Sequence, residues 1–385
     1  MAAPPPFKID IPQQRLDAIM ARVRDYEWFE APEGGGWAYG VDPEYLRELC
    51  AYWTEAFEWR AAEAGLNRFP QYTAPVEVEG ETLPLHFLHE RSSGPDPVPL
   101  ILLHGWPGSF FEFLHVVERL AHPGRFGEEG RGFHVVVPSL IGYGFSGKPK
   151  RPIGPRRQAA YFGKLMSEVL GYDGYIAQGG DWGAMISAYL GLDSPACRAV
   201  HLNMPGWQSP GVTPQSKAEE EHAAASRAMF EAEGAYFRVQ STKPLSLASA
   251  MMDSPVGTAA WIVEKFHGWS DLENGEIESA YTKDQLLTNV MIYLVTRTFN
   301  TASWLYRGLF EDGYGSPLAP GTRLEKPTSC AVFPHDFIKW PPRSQVERSY
   351  NVARWTEMET GGHFAALERP DAFIGDVRAF ADELG

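Results

Sequence analysis

Cysteine is scarce in this chain: Cys50, Cys197 and Cys330 are the only three, and none stands in C-x-x-C spacing. That argues against a disulfide framework or a cysteine-based zinc site and fits a reducing cytoplasm. Positive charge is also short, with 34 Lys and Arg against 49 Asp and Glu, for a net charge of -15. Nucleic acid and anionic membrane surfaces would be repelled at long range, which leaves a small neutral molecule as the easier partner. No uninterrupted apolar run approaches the roughly 18 residues that a membrane span requires. Residues 1 to 10 hold prolines and a lysine with no apolar stretch behind them, so a soluble, unanchored chain is expected. Repeats and low-complexity tracts are missing as well. What remains is a 385-residue chain, 44% hydrophobic and 13% aromatic, able to bury one large core plus an inserted or appended subdomain.

Residues 1 to 75 read as a helical, aromatic-rich arm. After Ile11-Pro12, Leu16, Ile19 and Val23 share one face; Asp42-Pro43 then opens a helix running to about residue 64, with a stripe of Tyr45, Leu49, Tyr52, Trp53 and Phe57. Short apolar strands follow at 76–78, 83–88, 99–103 and 133–137. Helices at 155–170 and 182–190 alternate with strands at 175–178 and 198–203, which predicts a mainly parallel sheet with helices on both faces. The spacing predicts an α/β core over 76–205 and 321–385. Between 206 and 320 helical stretches such as 218–233 and 282–309 replace the strands, as expected of a helical lid inserted into the core. Strand patterns return at 329–333 and 353–358, ahead of an amphipathic helix at 370–384.

The chemistry concentrates in Gln178-Gly179-Gly180-Asp181-Trp182-Gly183-Ala184. This has the G-x-nucleophile-x-G form of the sharp strand-to-helix elbow of α/β-hydrolases, with a carboxylate where serine is usual. G-x-D-x-G also arises where an aspartate merely caps a helix, but here the apolar strand before it and the Ala-rich helix after it supply the elbow's setting. No G-x-S-x-G occurs, since Ser146 and Ser270 are followed two residues on by Lys148 and Leu272. An aspartate attacks carbon and leaves an alkyl ester, so Asp181 suits epoxides or alkyl halides. His363, in Gly-Gly-His363-Phe-Ala-Ala between the last strand and the last helix, has the place of a general base that activates water against that ester. Asp336, just past the strand at 329–333, is the carboxylate to orient it; Asp193 and Asp173 are poorer rivals because neither ends a strand. The turn His104-Gly105-Trp106-Pro107-Gly108-Ser109 would aim the Trp106 N–H, together with that of Trp182, at the oxyanion formed when the ester is attacked. Its proline permits a cis bond.

The motifs HGWPGS, GGDWG and GGHFAALE, with the helical arm in front, resemble the epoxide hydrolases of the microsomal and juvenile-hormone type and their soluble microbial relatives. Lid segments Gln240-Ser241-Thr242-Lys243-Pro244, Asp253-Ser254-Pro255-Val256-Gly257 and Leu286-Leu287-Thr288-Asn289-Val290-Met291 look like the family's own. The resemblance spans nearly the whole chain and implies an α/β-hydrolase fold and conversion of an epoxide to a vicinal diol through a covalent ester. It implies that two lid tyrosines, Tyr236 and Tyr306, hold the epoxide oxygen and protonate it. No metal or organic cofactor is implied; the partners are a small epoxide and water, and a homodimer stays open. One departure is Ile141, where the family usually has proline, so the loop 142–146 is expected to differ slightly in shape. Two other readings remain at this point: a haloalkane dehalogenase using the same Asp and His with a tryptophan for the halide, and a catalytically silent hydrolase fold that only binds.

Overall fold

The computed structural model describes residues 4–312 and 318–385; the first three residues of the expected arm and residues 313–317 of the expected lid lie outside the described residues. Nine strands form one sheet: β1 Pro6–Phe7, β2 Gln71–Val78, β3 Glu81–Glu90, β4 Val98–Leu103, β5 Phe133–Pro138, β6 Tyr175–Gly179, β7 Cys197–Leu202, β8 Leu324–Val332 and β9 Tyr350–Glu357. Their spatial order is β1-β2-β3-β5-β4-β6-β7-β8-β9. The pairs from β1 to β5 on the first edge are antiparallel, and every pair from β5 through β9 is parallel. The parallel strands are apolar because both of their faces are covered: all five residues of β6 are buried, as are the last four of β4.

Chain direction decides which helix covers which face. The crossover from β4 to β5 carries α4 Leu114–Ala121, and that from β5 to β6 carries α5 Pro155–Lys164 in the opposite lateral direction. Right-handed crossovers therefore put the two helices on opposite faces. The third crossover helix, α6 Asp181–Asp193, continues the direction of α5 and packs against it, while the C-terminal helix packs against α4. The elbow thus lies at the carboxyl end of a central strand, where open α/β sheets present their ligand crevice.

The arm has three helices, α1 Gln13–Arg24, α2 Pro43–Glu55 and α3 Trp59–Leu66. Leu16, Ile19 and Val23 form the buried stripe of α1, as their spacing predicts. The single helix expected from 43 to 64 is broken at residues 56–58, and the buried stripe of α2 is Leu46, Leu49, Cys50 and Trp53, with Tyr45 and Tyr52 half-buried. The sheet also reaches back into the expected arm, since β2 starts at Gln71 and β1 pairs with it. Between β7 and β8 lie α7 Lys217–Glu233, α8 Ala235–Thr242, α9 Pro244–Met251, α10 Pro255–Trp269, α11 Lys283–Thr296 and α12 Phe299–Glu311. The expected continuous helix over 282–309 is two helices, because Arg297 turns left-handed at φ 56° and ends α11. The arm packs on this helical layer rather than on the sheet alone, with α1 against α10 and α11 and with α2 and α3 against α11. After β8 and β9 come the short helices α13 Arg343–Val346 and α14 Ala365–Glu368, then α15 Pro370–Glu383. No helix among the described residues is long and apolar enough to cross a membrane.

Candidate active site

Asp181 opens α6 two residues after the end of β6, with φ +48°, a left-handed backbone that costs a non-glycine residue of order 1–3 kcal/mol. The surrounding contacts impose this turn. A Cβ on Gly183 would fall 1.8 Å from the carbonyl oxygen of Leu103 at the end of β4, and one on Gly179 would fall 2.2 Å from the Gly183 carbonyl carbon. Both flanking glycines of the G-x-D-x-G pattern are therefore required by close backbone approach, as the elbow reading expects. In this turn the Asp181 Oδ1 accepts a 2.8 Å hydrogen bond from the Trp106 N–H. Trp182 lies in the first turn of α6, where backbone N–H groups have no acceptor within the helix.

Asp181 Oδ2 lies 3.6 Å from His363 Nε2, a charge contact rather than a hydrogen bond. The opposite ring nitrogen of His363 is 3.0 Å from Asp336 Oδ1, and that oxygen also accepts the Ile338 N–H at 3.0 Å. The fold thus brings the three expected residues, from positions 181, 336 and 363, into one line. Asp193 is occupied elsewhere by an ion pair with Arg156, at 2.7 Å. Burial alone would lower the His363 pKa, but the Asp336 carboxylate, joined by that of Asp181, overrides it and raises the value to about 10. The imidazole is accordingly a cation in the resting site.

Two aromatic walls close over the carboxylate. Tyr236, from α8, stacks on Trp106 with ring centroids 5.3 Å apart, and Tyr306, from α12, meets the Trp182 ring edge-on at 4.8 Å. The two phenol rings are 6.1 Å apart and nearly perpendicular. Burial raises both phenol pKa values well above normal, and the charge of Asp181 adds to it. Both are therefore neutral donors, and the Tyr306 hydroxyl has no hydrogen-bond partner among the described residues. The Trp106–Pro107 peptide bond is cis.

Four supporting residues escape a sequence reading. Asn289 of α11 accepts from Ser109 Oγ and donates to the Pro107 carbonyl, both at 2.8 Å, while Tyr293 donates to the Gly108 carbonyl at 2.6 Å. The inserted helices thereby grip the turn that carries the Trp106 N–H. Glu368 accepts from the N–H groups of Gly362, Phe364 and Asp271, each at 2.8 Å, and so fixes the loop that presents His363. Its signal was a lone acid closing the apolar run Phe-Ala-Ala-Leu-Glu. Glu112, in a helical turn at Phe110–Phe113, lies with Asp181 and His363 around one small cavity. Burial raises its carboxyl to about 8; Asp181 adds to that, while the His363 charge and backbone hydrogen bonds at Gly105 and Ser109 oppose it.

Known proteins share the sequence and the fold of this chain. The epoxide hydrolase N-terminus model matches residues 4–113, and the α/β-hydrolase fold model matches residues 98–287. A Stigmatella aurantiaca protein, named provisionally as an epoxide hydrolase, is 38% identical over 97% of this chain and 83% of its own. Epoxide hydrolase 1 of Sus scrofa is 30% identical over 97% of this chain and 88% of its own. The solved structure of Aspergillus niger epoxide hydrolase is 34% identical, with a TM-score of 0.85, covering 100% of this chain and 97% of that one. With its arm, sheet and inserted helices all matched at this level, the chain belongs to the epoxide hydrolase family of the α/β-hydrolase fold.

Proposed function

We propose that this enzyme converts an epoxide to a vicinal diol in two steps, with Asp181, His363, Asp336, Tyr236 and Tyr306 as the catalytic set. The observation that carries the reading is the placement of a carboxylate on a strained elbow, one oxygen on a backbone N–H and the other facing a buried imidazolium, beneath two neutral phenols. In the first step Asp181 Oδ2 attacks the less hindered epoxide carbon. The carbon–oxygen bond of the ring breaks, and one phenol gives its proton to the departing alkoxide. A halide leaving group needs no proton, so a pair of buried phenols with high pKa favours the epoxide over an alkyl halide.

Proton accounting links the steps. The proton held on His363 at rest equals the one needed to restore the phenol after ring opening. Esterification also removes the Asp181 charge that helped to raise the His363 pKa. The imidazole is thereby released to act as a base only once there is an ester to hydrolyse. Water then loses a proton to His363 Nε2 and adds to the Asp181 carbonyl carbon, and the oxyanion is held by the N–H groups of Trp106 and Trp182. Collapse breaks the ester bond, the diol oxygen takes that proton from His363, and Asp181 retains the oxygen from water, whose remaining proton passes to His363 and restores the resting carboxylate and imidazolium.

The helices from α7 to α12 act as the lid, and the arm helices α1, α2 and α3 brace it. The crowded rings of Trp106, Trp182, Tyr236 and Tyr306 suit a bulky apolar or aryl substituent on the epoxide. Removing a reactive alkylating agent fits a detoxifying role in a reducing cytoplasm. A single turnover in heavy-oxygen water tests the chemistry: light oxygen is expected in the diol and heavy oxygen in Asp181. Label in the first-turnover diol would exclude the covalent route. His363→Gln should accumulate a protein adduct heavier by the mass of the epoxide, and failure to trap one would remove His363 from the role of base.

A further inference from the structure

The small cavity at the foot of the site is walled by Gly105, Glu112, Asp181, Asn203 and His363, and leaves about 10 Å³ for the centre of a water molecule. That is room for one water and far too little for a substrate carbon skeleton. None of its lining residues belongs to the inserted helices, whereas Tyr236 and Tyr306 both do. The epoxide of the first step and the water of the second thus have separate approaches to the same carboxyl group.

Resting on the two-step reading above, we propose that this cavity is the binding site of the hydrolytic water and that Glu112 is its positioning residue. Glu112 is half-buried and lines the cavity together with Asp181 and His363. Its placement is built into the backbone: a Cβ on Gly108 would overlap Glu112 Oε1 at 1.4 Å, so the second glycine of HGWPGS makes space for this carboxyl. The water donates one proton to His363 Nε2 and the other to a Glu112 carboxyl oxygen. A lone pair is then free to face the Asp181 carbonyl carbon. Once His363 removes its proton, the oxygen–carbon bond forms there and the alkyl–oxygen bond breaks as already described, with Glu112 neither gaining nor losing a proton. A carboxyl with a pKa near 8 is largely protonated at neutral pH, which spares the site another negative charge beside Asp181 and still offers an acceptor oxygen.

Stopped-flow single turnovers with a styrene-type epoxide separate ester formation from ester hydrolysis, read by intact-protein mass of quenched samples. Glu112→Leu keeps the volume and removes the polar atoms. Hydrolysis is expected to slow by roughly 100-fold, within the range for lost positioning and proton-transfer geometry, while ester formation changes by less than about threefold. Glu112→Gln, which retains an acceptor oxygen and a donor, should restore hydrolysis to within about tenfold of the native rate and also guards against a folding defect in the leucine variant. Equal slowing of both steps in both variants, or unchanged hydrolysis in the leucine variant, would overturn the water site while leaving the ester mechanism standing. No ester in the native enzyme or in any variant would overturn the two-step reading and the water site with it.

Discussion

At the scale of single residues, the nucleophile is defined by what its neighbours lack. Asp181 can hold φ +48° because Gly179 and Gly183 let two backbones touch the elbow. Gly183→Ala would drive a methyl group to 1.8 Å from the Leu103 carbonyl, and a central strand cannot yield as a flexible side chain could. A loss of at least about 3 kcal/mol is expected, read as a lower unfolding midpoint in urea, with activity falling alongside it. Unchanged stability would mean that the elbow is looser than its contacts indicate. This constraint was legible in the sequence, since glycine on both sides of an acid after an apolar strand has few other physical causes. The positions of His363 and Asp336 were legible too, because strand ends deliver loops to one edge of a parallel sheet. Glu112 was not. In Phe-Phe-Glu-Phe an acid looks like a solvated helix position, and only the tertiary path of the turn points it inward beside Asp181 and His363. Trp182 marks a similar limit: its backbone N–H could be assigned from its place after the nucleophile, but not the edge-on contact of its ring with Tyr306.

At the scale of elements, most strands and helices follow from periodicity, while the breaks between them do not. Residues 282–309 carry an uninterrupted helical pattern, yet α11 stops at Thr296 so that α12 can turn back and place Tyr306 over the site. Nothing local demands Arg297 in a left-handed conformation; packing of two helices onto different neighbours does. The same holds at residues 56–58, where the arm bends so that α2 and α3 can both lie against α11. The element that couples the layers is α11, through Asn289 and Tyr293 on the HGWPGS turn. Asn289→Leu would strip partners from the Ser109 hydroxyl and the Pro107 carbonyl in a dry interface. The expected cost is about 2–4 kcal/mol of stability for two buried groups left unpaired. Because the turn also carries the Trp106 N–H, the rate of ester hydrolysis should fall more than thermal stability alone would explain. Single turnovers at a temperature where the variant is fully folded check this, and a native hydrolysis rate there would show that the turn holds its shape without the lid.

For the molecule as a whole, the buried titratable groups predict a stability maximum near pH 6.5. Burial lowers the pKa values of His86, His89 and His104 to about 3, 4 and 4, from 6.5 in the unfolded chain. Groups depressed in this way stabilise the fold fully above 6.5 and progressively less as pH falls toward 4. Glu112 works against them, because its raised carboxyl keeps in the fold a proton that the unfolded chain has lost above about 4.5. His363 is protonated in both states well below 6.5 and there contributes no slope. Near pH 5.5, then, unfolding takes up nearly three protons at these three histidines and releases about one at Glu112. The net uptake of about two protons makes stability fall by roughly 2.5 kcal/mol for each unit of acidification. Above 6.5 the sign reverses: the fold holds protons on Glu112 and His363 that the unfolded chain does not, so stability declines as pH rises through about 8 and on toward 10. Urea unfolding at pH 5.5, 6.5 and 8.5 should therefore give the highest free energy at the middle value. Two variants assign the limbs: Glu112→Gln should steepen the acid side by removing the opposing proton, whereas His363→Gln should flatten the alkaline side and leave the acid side unchanged. If stability were flat across this range, or if His363→Gln altered only the acid limb, the imidazolium wedged between Asp336 and Asp181 would not be the resting state, and base activation by esterification would lose its physical cause.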